Sequence, residues 1–152
     1  MSDISRATTN QWIYPATLVR VVDGDTIILR LFRDVEVDFG FRFKVGLQLS
    51  YEGVFRLAGI NAPEIHTKNL EEKTAGEAAK IRLQQLLALG SLMVTSEKPA
   101  GDIESDKYGR WLCRVVVTGP KESFEVAARL LALGLVMEWD GKGPRPDWVP
   151  QP

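Results

Sequence analysis

The sequence predicts one α+β domain that is mainly β, with five strands and two helices. Five segments alternate in polarity or are rich in β-branched and large apolar residues, which is typical of strands: 16–22, 26–32, 54–60, 92–96 and 111–117. A helix over residues 74–89 carries an apolar stripe and is predicted to end with Gly90 as a left-handed cap. A second helix, capped by Ser123, is predicted to end at Gly134.

The domain is predicted to extend over residues 12–139, between a flexible N-terminus at 1–11 and a proline-rich tail at 140–152. A length of 152 residues allows one hydrophobic core that needs no disulfide. Within it, residues 33–53 continue an alternating apolar pattern through Val35, Val37, Phe39, Phe41 and Phe43, which predicts an extended hairpin arm. The four prolines of the tail prevent a helix from continuing there.

Composition excludes several classes of protein. No stretch of about 18 apolar residues is present, so no membrane association is expected, and the polar N-terminus lacks the apolar core of a signal peptide, which predicts a cytoplasmic location. Cys113 is the only cysteine, which excludes an intramolecular disulfide and a zinc site built on several cysteines. A net charge of −1 argues against general electrostatic coating of nucleic acid, so any such recognition must be local.

Three segments carry the residues that chemistry would need. They are Asp23-Gly24-Asp25-Thr26 in the predicted first turn, Arg56 followed by Asn61-Ala62-Pro63-Glu64, and Asp106-Lys107-Tyr108-Gly109-Arg110. Together they supply carboxylate and amide oxygens for a hard cation, a glutamate for proton transfer and two arginines for a phosphate. Phosphodiester hydrolysis needs such groups, because negative charge gathers on the phosphorus centre and must be met by positioned cations.

In their order and spacing these segments resemble the staphylococcal (micrococcal) nuclease family, also called thermonuclease-like, over about residues 16–136. The resemblance implies a five-stranded oligonucleotide/oligosaccharide-binding (OB) barrel with two packing helices. Relative to the staphylococcal enzyme, residues 33–53 form an insertion and the third, C-terminal helix is missing. These departures favour a bacterial or bacteriophage intracellular variant.

The resemblance implies a calcium site, with magnesium or manganese as alternative ions. Asp25 would be a carboxylate ligand, Ala62 would offer its backbone carbonyl, and Asp23 would lie just outside the ligand set. Asn61 stands where the staphylococcal enzyme has a second aspartate; it is either an amide ligand that lacks the negative charge or a turn residue before Pro63.

The same resemblance implies the catalytic roles. Arg56 and Arg110 would clamp the scissile phosphate, because planar guanidinium groups bind phosphate oxygens in pairs. Glu64 would act as general base or orient the attacking water. Lys107 and Tyr108 would contact the substrate through charge and through hydrogen bonding or stacking.

Two functions therefore compete. The first is a monomeric, metal-dependent nuclease that acts on DNA, RNA or both, with a preference for single strands. The second is a catalytically weak or inactive OB module that binds oligonucleotides or a protein partner. Arg56, Glu64 and Arg110 together favour the enzyme, and Asn61 favours the binding module.

Overall fold

The computed structural model describes residues 12–97 and 109–150 as eight strands and two helices. The longer strands are β1 (Ile13–Asp23), β2 (Thr26–Asp38), β3 (Lys44–Leu57), β5 (Ser91–Ser96) and β6 (Trp111–Thr118). Three short strands are β4 (Ile60–Asn61), β7 (Ser123–Glu125) and β8 (Met137–Glu138). The helices are α1 (Leu70–Leu87) and α2 (Val126–Ala132).

The five longer strands form a closed, barrel-like ring. Antiparallel pairings run in the order β3-β2-β1-β5-β6, and β3 also pairs with β6 in parallel, with Phe55 opposite Trp111 and Leu57 opposite Cys113. The short β3–β6 pairing closes the ring, and β7 is added beside β6. The predicted α+β class and the five predicted strands are confirmed. Strands β1 and β2 are longer than predicted, and β3 begins earlier than predicted, at Lys44, and ends at Leu57, before its predicted end at residue 60.

The core lies inside this ring and under the two helices. Strand alternation directs one face inward, as predicted for β6, where Cys113, Val115 and Val117 are buried. Helix α1 contacts β1 and α2, and buries Leu83 and Leu86 among the strand side chains. Each large side chain buried this way stabilises the fold by about 1.5–3 kcal/mol.

The predicted hairpin arm is confirmed. Strands β2 and β3 pair without interruption from Thr26 opposite Arg56 to Asp38 opposite Lys44. The chain turns between them at Gly40 and Arg42, which both have positive φ. Residues 33–53, here called the arm, therefore form the outer part of the β2–β3 hairpin.

Helix α1 differs from its prediction at both ends. It begins at Leu70, because the Asn69 side chain accepts hydrogen bonds from the amides of Glu71 and Glu72 and caps a polar first turn. It ends at Leu87, so Gly90 is not its left-handed cap. Gly90 is instead required by close packing, since a Cβ there would lie 2.1 Å from the carbonyl oxygen of Thr118.

The second helix also begins later than predicted. Ser123 lies in β7, with its hydroxyl 3.0 Å from that of Thr118, and α2 starts at Val126 without a side-chain cap. Gly134 does adopt the predicted left-handed conformation beyond the helix end. Residues 135–150 contain the short strand β8 and no helix, in agreement with the predicted lack of a third helix. Neither helix described is long and apolar enough to span a membrane.

Candidate active site

The turn between β1 and β2 brings Asp25 into the interior. The backbone amide of Asp25 donates to Oδ1 of Asp23 at 3.1 Å, which tightens the turn. Gly24 lets the turn approach its neighbours closely, because a Cβ there would lie 2.8 Å from the Cβ atoms of both Ala62 and Ala79. Asp25 is consequently only 3% exposed, beside the segment that contains Ala62.

Asp25 connects three other parts of the site. Its Oδ1 accepts a hydrogen bond from Thr26 Oγ1 at 2.9 Å, and its Oδ2 accepts one from the backbone amide of Ala62 at 2.8 Å. The guanidinium Nη2 of Arg56 lies 3.7 Å from Oδ2. The Thr26 hydroxyl in turn accepts a hydrogen bond from Arg110 Nη1 at 3.1 Å. Contacts therefore lead from Arg110 through Thr26 to Asp25 and Arg56.

Arg56 is buried, with 6% of its surface exposed, and its orientation is held from two sides. The chain turns at Ala58–Gly59 between β3 and β4, which lets Arg56 Nη2 donate to the carbonyl oxygen of Ile60 at 2.9 Å. The Trp139 ring lies against the guanidinium, 4.8 Å from ring centroid to Cζ. The backbone amide of Trp139 donates to the Gly59 carbonyl, which holds the ring in place.

The two aspartates of the turn have opposite shifts in acidity. Burial, followed by the nearby charge of Asp25, raises the pKa of Asp23 to about 6. Burial alone would raise the pKa of Asp25 as well, but the hydrogen bond with Asp23, the charge of Arg56 and the Ala62 amide together lower it. Asp25 is therefore the carboxylate that stays ionised, and Asp23 holds its proton more strongly.

Asn61 places an unsatisfied oxygen in the same region. It lies in β4, which pairs with β8 through Asn61 and Met137, and it is 4% exposed. Its Oδ1 has no hydrogen-bond partner within the described ranges. Leaving a buried amide oxygen unpaired costs about 1–3 kcal/mol, so such an oxygen calls for a ligand or a functional explanation.

The C-terminal tail folds back onto Glu64. Arg145 Nη1 forms an ion pair with Glu64, and its Nη2 donates to the carbonyl oxygen of Ala62 at 2.9 Å. Further along the tail, Trp148 is half-buried and lines a cavity together with Pro63 and Met137. The tail thus contacts the domain. The Arg145 guanidinium binds both Glu64, the predicted general base, and the carbonyl of Ala62, the predicted cation ligand.

A family model described as "Staphylococcal nuclease homologue" matches residues 54–142, which is more than half of the chain. The chain belongs to this family. No curated protein matches it. The region matched by the nuclease family model contains Arg56, Asn61, Glu64, Arg110 and Trp139, and it excludes Asp25 and Arg145.

Most of the predicted site residues are brought together in this staphylococcal nuclease homologue. Contacts join Asp23, Asp25, Arg56, Ala62 and Arg110, and Glu64 is linked to Ala62 through Arg145. Lys107 and Tyr108 lie outside the described residues. The sequence did not predict roles for Thr26, Trp139 or Arg145. Of these, only Thr26 could have been found from the sequence, because it follows Asp25 in the first motif.

The donor set fits a hard divalent cation. Carboxylate, amide and carbonyl oxygens are what calcium and magnesium bind. The unpaired Oδ1 belongs to Asn61, the residue before Ala62, whose backbone amide donates to Asp25. The described residues contain no cluster of three or more His, Cys, Asp or Glu side chains that could hold a metal. A cation here would therefore depend on amide and backbone oxygens as much as on carboxylates.

Proposed function

We propose that this member of the staphylococcal nuclease family is a divalent-cation-dependent nuclease. It would hydrolyse phosphodiester bonds of DNA, RNA or both by in-line attack of water. The observation that carries the proposal is the set of contacts from Arg110 through Thr26 to Asp25 and Arg56, because it gathers two guanidinium groups beside a cluster of oxygen donors. Family membership supports the same class of activity.

Arg56 and Arg110 would bind the phosphate and stabilise its transition state. Both guanidinium groups have fixed orientations, Arg56 through the Ile60 carbonyl and Arg110 through the Thr26 hydroxyl. Donors that are positioned before the reaction stabilise developing charge without reorganisation, which is the largest contribution in many enzymes.

Asp25, Asn61 Oδ1 and the Ala62 carbonyl would hold the cation, with Asp23 next to them. Calcium is the ion we propose, with magnesium and manganese as alternatives, because all the donors are oxygens. When bound, the ion would neutralise charge on the phosphate and make water more acidic. The unpaired Asn61 oxygen favours the ligand role over the alternative role as a turn residue.

Glu64 would accept the proton from the attacking water. A carboxylate in this position can do so at neutral pH through a short hydrogen bond. The contact with Arg145 must open for this step, since the same guanidinium engages Glu64 and the Ala62 carbonyl. Substrate contacts by Lys107 and Tyr108, a preference for single strands and a cytoplasmic location belong to the same proposal.

We expect purified protein to cleave single-stranded DNA or RNA with calcium, magnesium or manganese, and to lose this activity completely in excess chelator. The reason is that water attack on a phosphodiester needs both charge neutralisation and an acidified water. Fluorescent oligonucleotides of each type, incubated with each ion or with EDTA and resolved on denaturing gels, provide the measurement. Equal cleavage with and without chelator would contradict the mechanism, and binding without cleavage under every ion would favour the OB binding module.

We expect Arg145→Ala to tighten cation binding about fivefold to tenfold. The Arg145 guanidinium competes for the Ala62 carbonyl and repels the cation, and a partly exposed contact of this kind is worth about 1 kcal/mol. Calcium titrations by calorimetry measure the change directly. Arg129→Ala is the matched control, because it removes an ion pair with Glu122 elsewhere on the surface. Equal affinity of Arg145→Ala and wild type would show that Arg145 does not compete.

A further inference from the structure

The arm has one apolar face and one polar face. Residues opposite each other in an antiparallel pair share a face, so Val35 with Leu47 and Val37 with Val45 form the apolar side. Asp34 with Gln48 and Asp38 with Lys44 form the polar side. At the tip the Phe43 ring stacks on two others, at 5.5 Å from Phe39 and 6.3 Å from Phe41.

The apolar face is exposed along its length. Eight large apolar side chains of the arm are exposed, and Phe41 at the tip is 80% exposed. They are Val37, Phe39, Phe41, Phe43, Val45, Leu47, Leu49 and Tyr51. Together they present roughly 700 Å², given the area of large side chains, which exceeds the apolar patches typical of monomers. A two-stranded ribbon is marginally stable alone in water, so this face needs a cover.

The base of the same face opens into a cavity of about 660 Å³. Leu31, Leu49 and Tyr51 from the hairpin line it, together with Tyr14 and Trp111 from the barrel. The Trp111 indole donates to the Tyr51 hydroxyl at 3.0 Å, which ties the base of the arm to β6. The apolar face thus has a projecting aromatic tip at one end and an aromatic-lined cavity at the other.

We propose that this face docks a second copy of the same chain. Two arms would pack face to face in antiparallel orientation, with the Phe41 tip of each copy in the base cavity of the other. The strand rise puts Phe39 roughly 20 Å from Arg33 at the base, so one arm reaches from tip to cavity along its partner. Such a contact is self-complementary under a two-fold axis, as closed dimers require.

Area and charge both favour a second copy over other occupants. The roughly 700 Å² of exposed apolar side chain is close to the usual burial of about 800 Å² per partner in a stable complex. The arm carries three basic and four acidic residues between 33 and 53, so nucleic acid and anionic membranes would gain nothing from it electrostatically. In the dimer the polar face, with Asp34, Glu36 and Asp38, would remain in water. This proposal replaces the monomer expected from the sequence.

Sedimentation velocity over a range of protein concentrations tests the proposal. Wild type should sediment as a species of twice the 17.0 kDa mass of the chain. Phe41→Asp should raise the dissociation constant of the dimer at least a hundredfold. Ile81→Glu, which changes an exposed apolar residue on α1, is the control and should leave the dimer intact. Circular dichroism confirms that each variant is folded. A folded wild type that is monomeric throughout, or a dimer unaffected by Phe41→Asp, would overturn the proposal.

Disulfide trapping tests the antiparallel arrangement itself. In Phe41→Cys/Leu49→Cys the two thiols of one chain lie roughly 20 Å apart or more, too far to join within that chain. Mild oxidation should therefore yield a covalent dimer from the double variant and little from either single variant. Cys113 is buried and does not compete. Vesicle flotation and oligonucleotide binding, each measured with wild type and with Phe41→Asp, test the other two occupants. If wild type is monomeric and Phe41→Asp loses its binding to vesicles or to oligonucleotides, the dimer proposal would be overturned.

Discussion

Glu64→Gln and Arg110→Ala should each lower kcat at least about a hundredfold, the usual effect of removing a general base or a transition-state contact. Glutamine cannot accept the proton that Glu64 is proposed to take, and alanine removes the guanidinium that donates to Thr26. Both side chains are partly exposed, so the melting temperature should change little. Initial rates on a single-stranded oligonucleotide at saturating cation, with thermal unfolding followed by circular dichroism, measure both effects.

Two exposed residues of α1 provide matched controls for these substitutions. Glu77→Gln and Arg82→Ala make the same chemical changes on the helix surface and should retain wild-type turnover. If Glu64→Gln or Arg110→Ala kept near-full turnover as well, the role proposed for that residue would be withdrawn. A large fall in melting temperature would indicate a structural role instead.

Arg56→Ala should abolish measurable turnover and also lower the free energy of unfolding by about 3 kcal/mol, the lower end of the cost of breaking a buried ion pair. The stability loss arises because Asp25 would remain as a buried carboxylate without the guanidinium at 3.7 Å, and the Ile60 carbonyl would lose its donor. Urea unfolding monitored by tryptophan fluorescence measures the stability, and oligonucleotide cleavage measures the turnover.

A double variant separates the two consequences of removing Arg56. Arg56→Ala/Asp25→Asn should recover part of the lost stability, because the uncompensated charge is gone, and it should recover no activity. If Arg56→Ala were as stable as wild type, the contact with Asp25 would contribute no stability. If the double variant were no more stable than Arg56→Ala, the loss would come from packing against Trp139 and not from charge.

The parts of the fold that sequence predicted are those with regular periodicity. The inward alternation of β6 and the stripe through Ala79, Leu83 and Leu86 depend on local spacing, and the structure confirms them. The start of α1 could not be found this way, because its first turn is polar and is held by the Asn69 cap. Ser123 was misassigned because a serine before an apolar run fits a cap and a short strand equally well.

In the candidate site, too, some residues could be predicted from the sequence and others could not. Motif residues such as Asp25 and Arg56 could be named because their order matches a known family, and the structure brings them into contact. Arg145 and Trp139 come from a region without periodicity that follows β8, the strand that pairs with β4. Contacts between residues that are far apart in sequence, within irregular segments, leave no local pattern to read.

The pairing of β8 with β4 also sets an order of events during protein synthesis. Asn61 leaves the ribosome long before Met137 and Trp139, which pair with β4 and cover Arg56. At about 5–20 residues per second, roughly 4 to 15 seconds separate the two segments. During that interval the nascent chain has its first motifs but lacks the strand that holds β4. The pairing therefore delays completion of the candidate site until most of the chain has been synthesised.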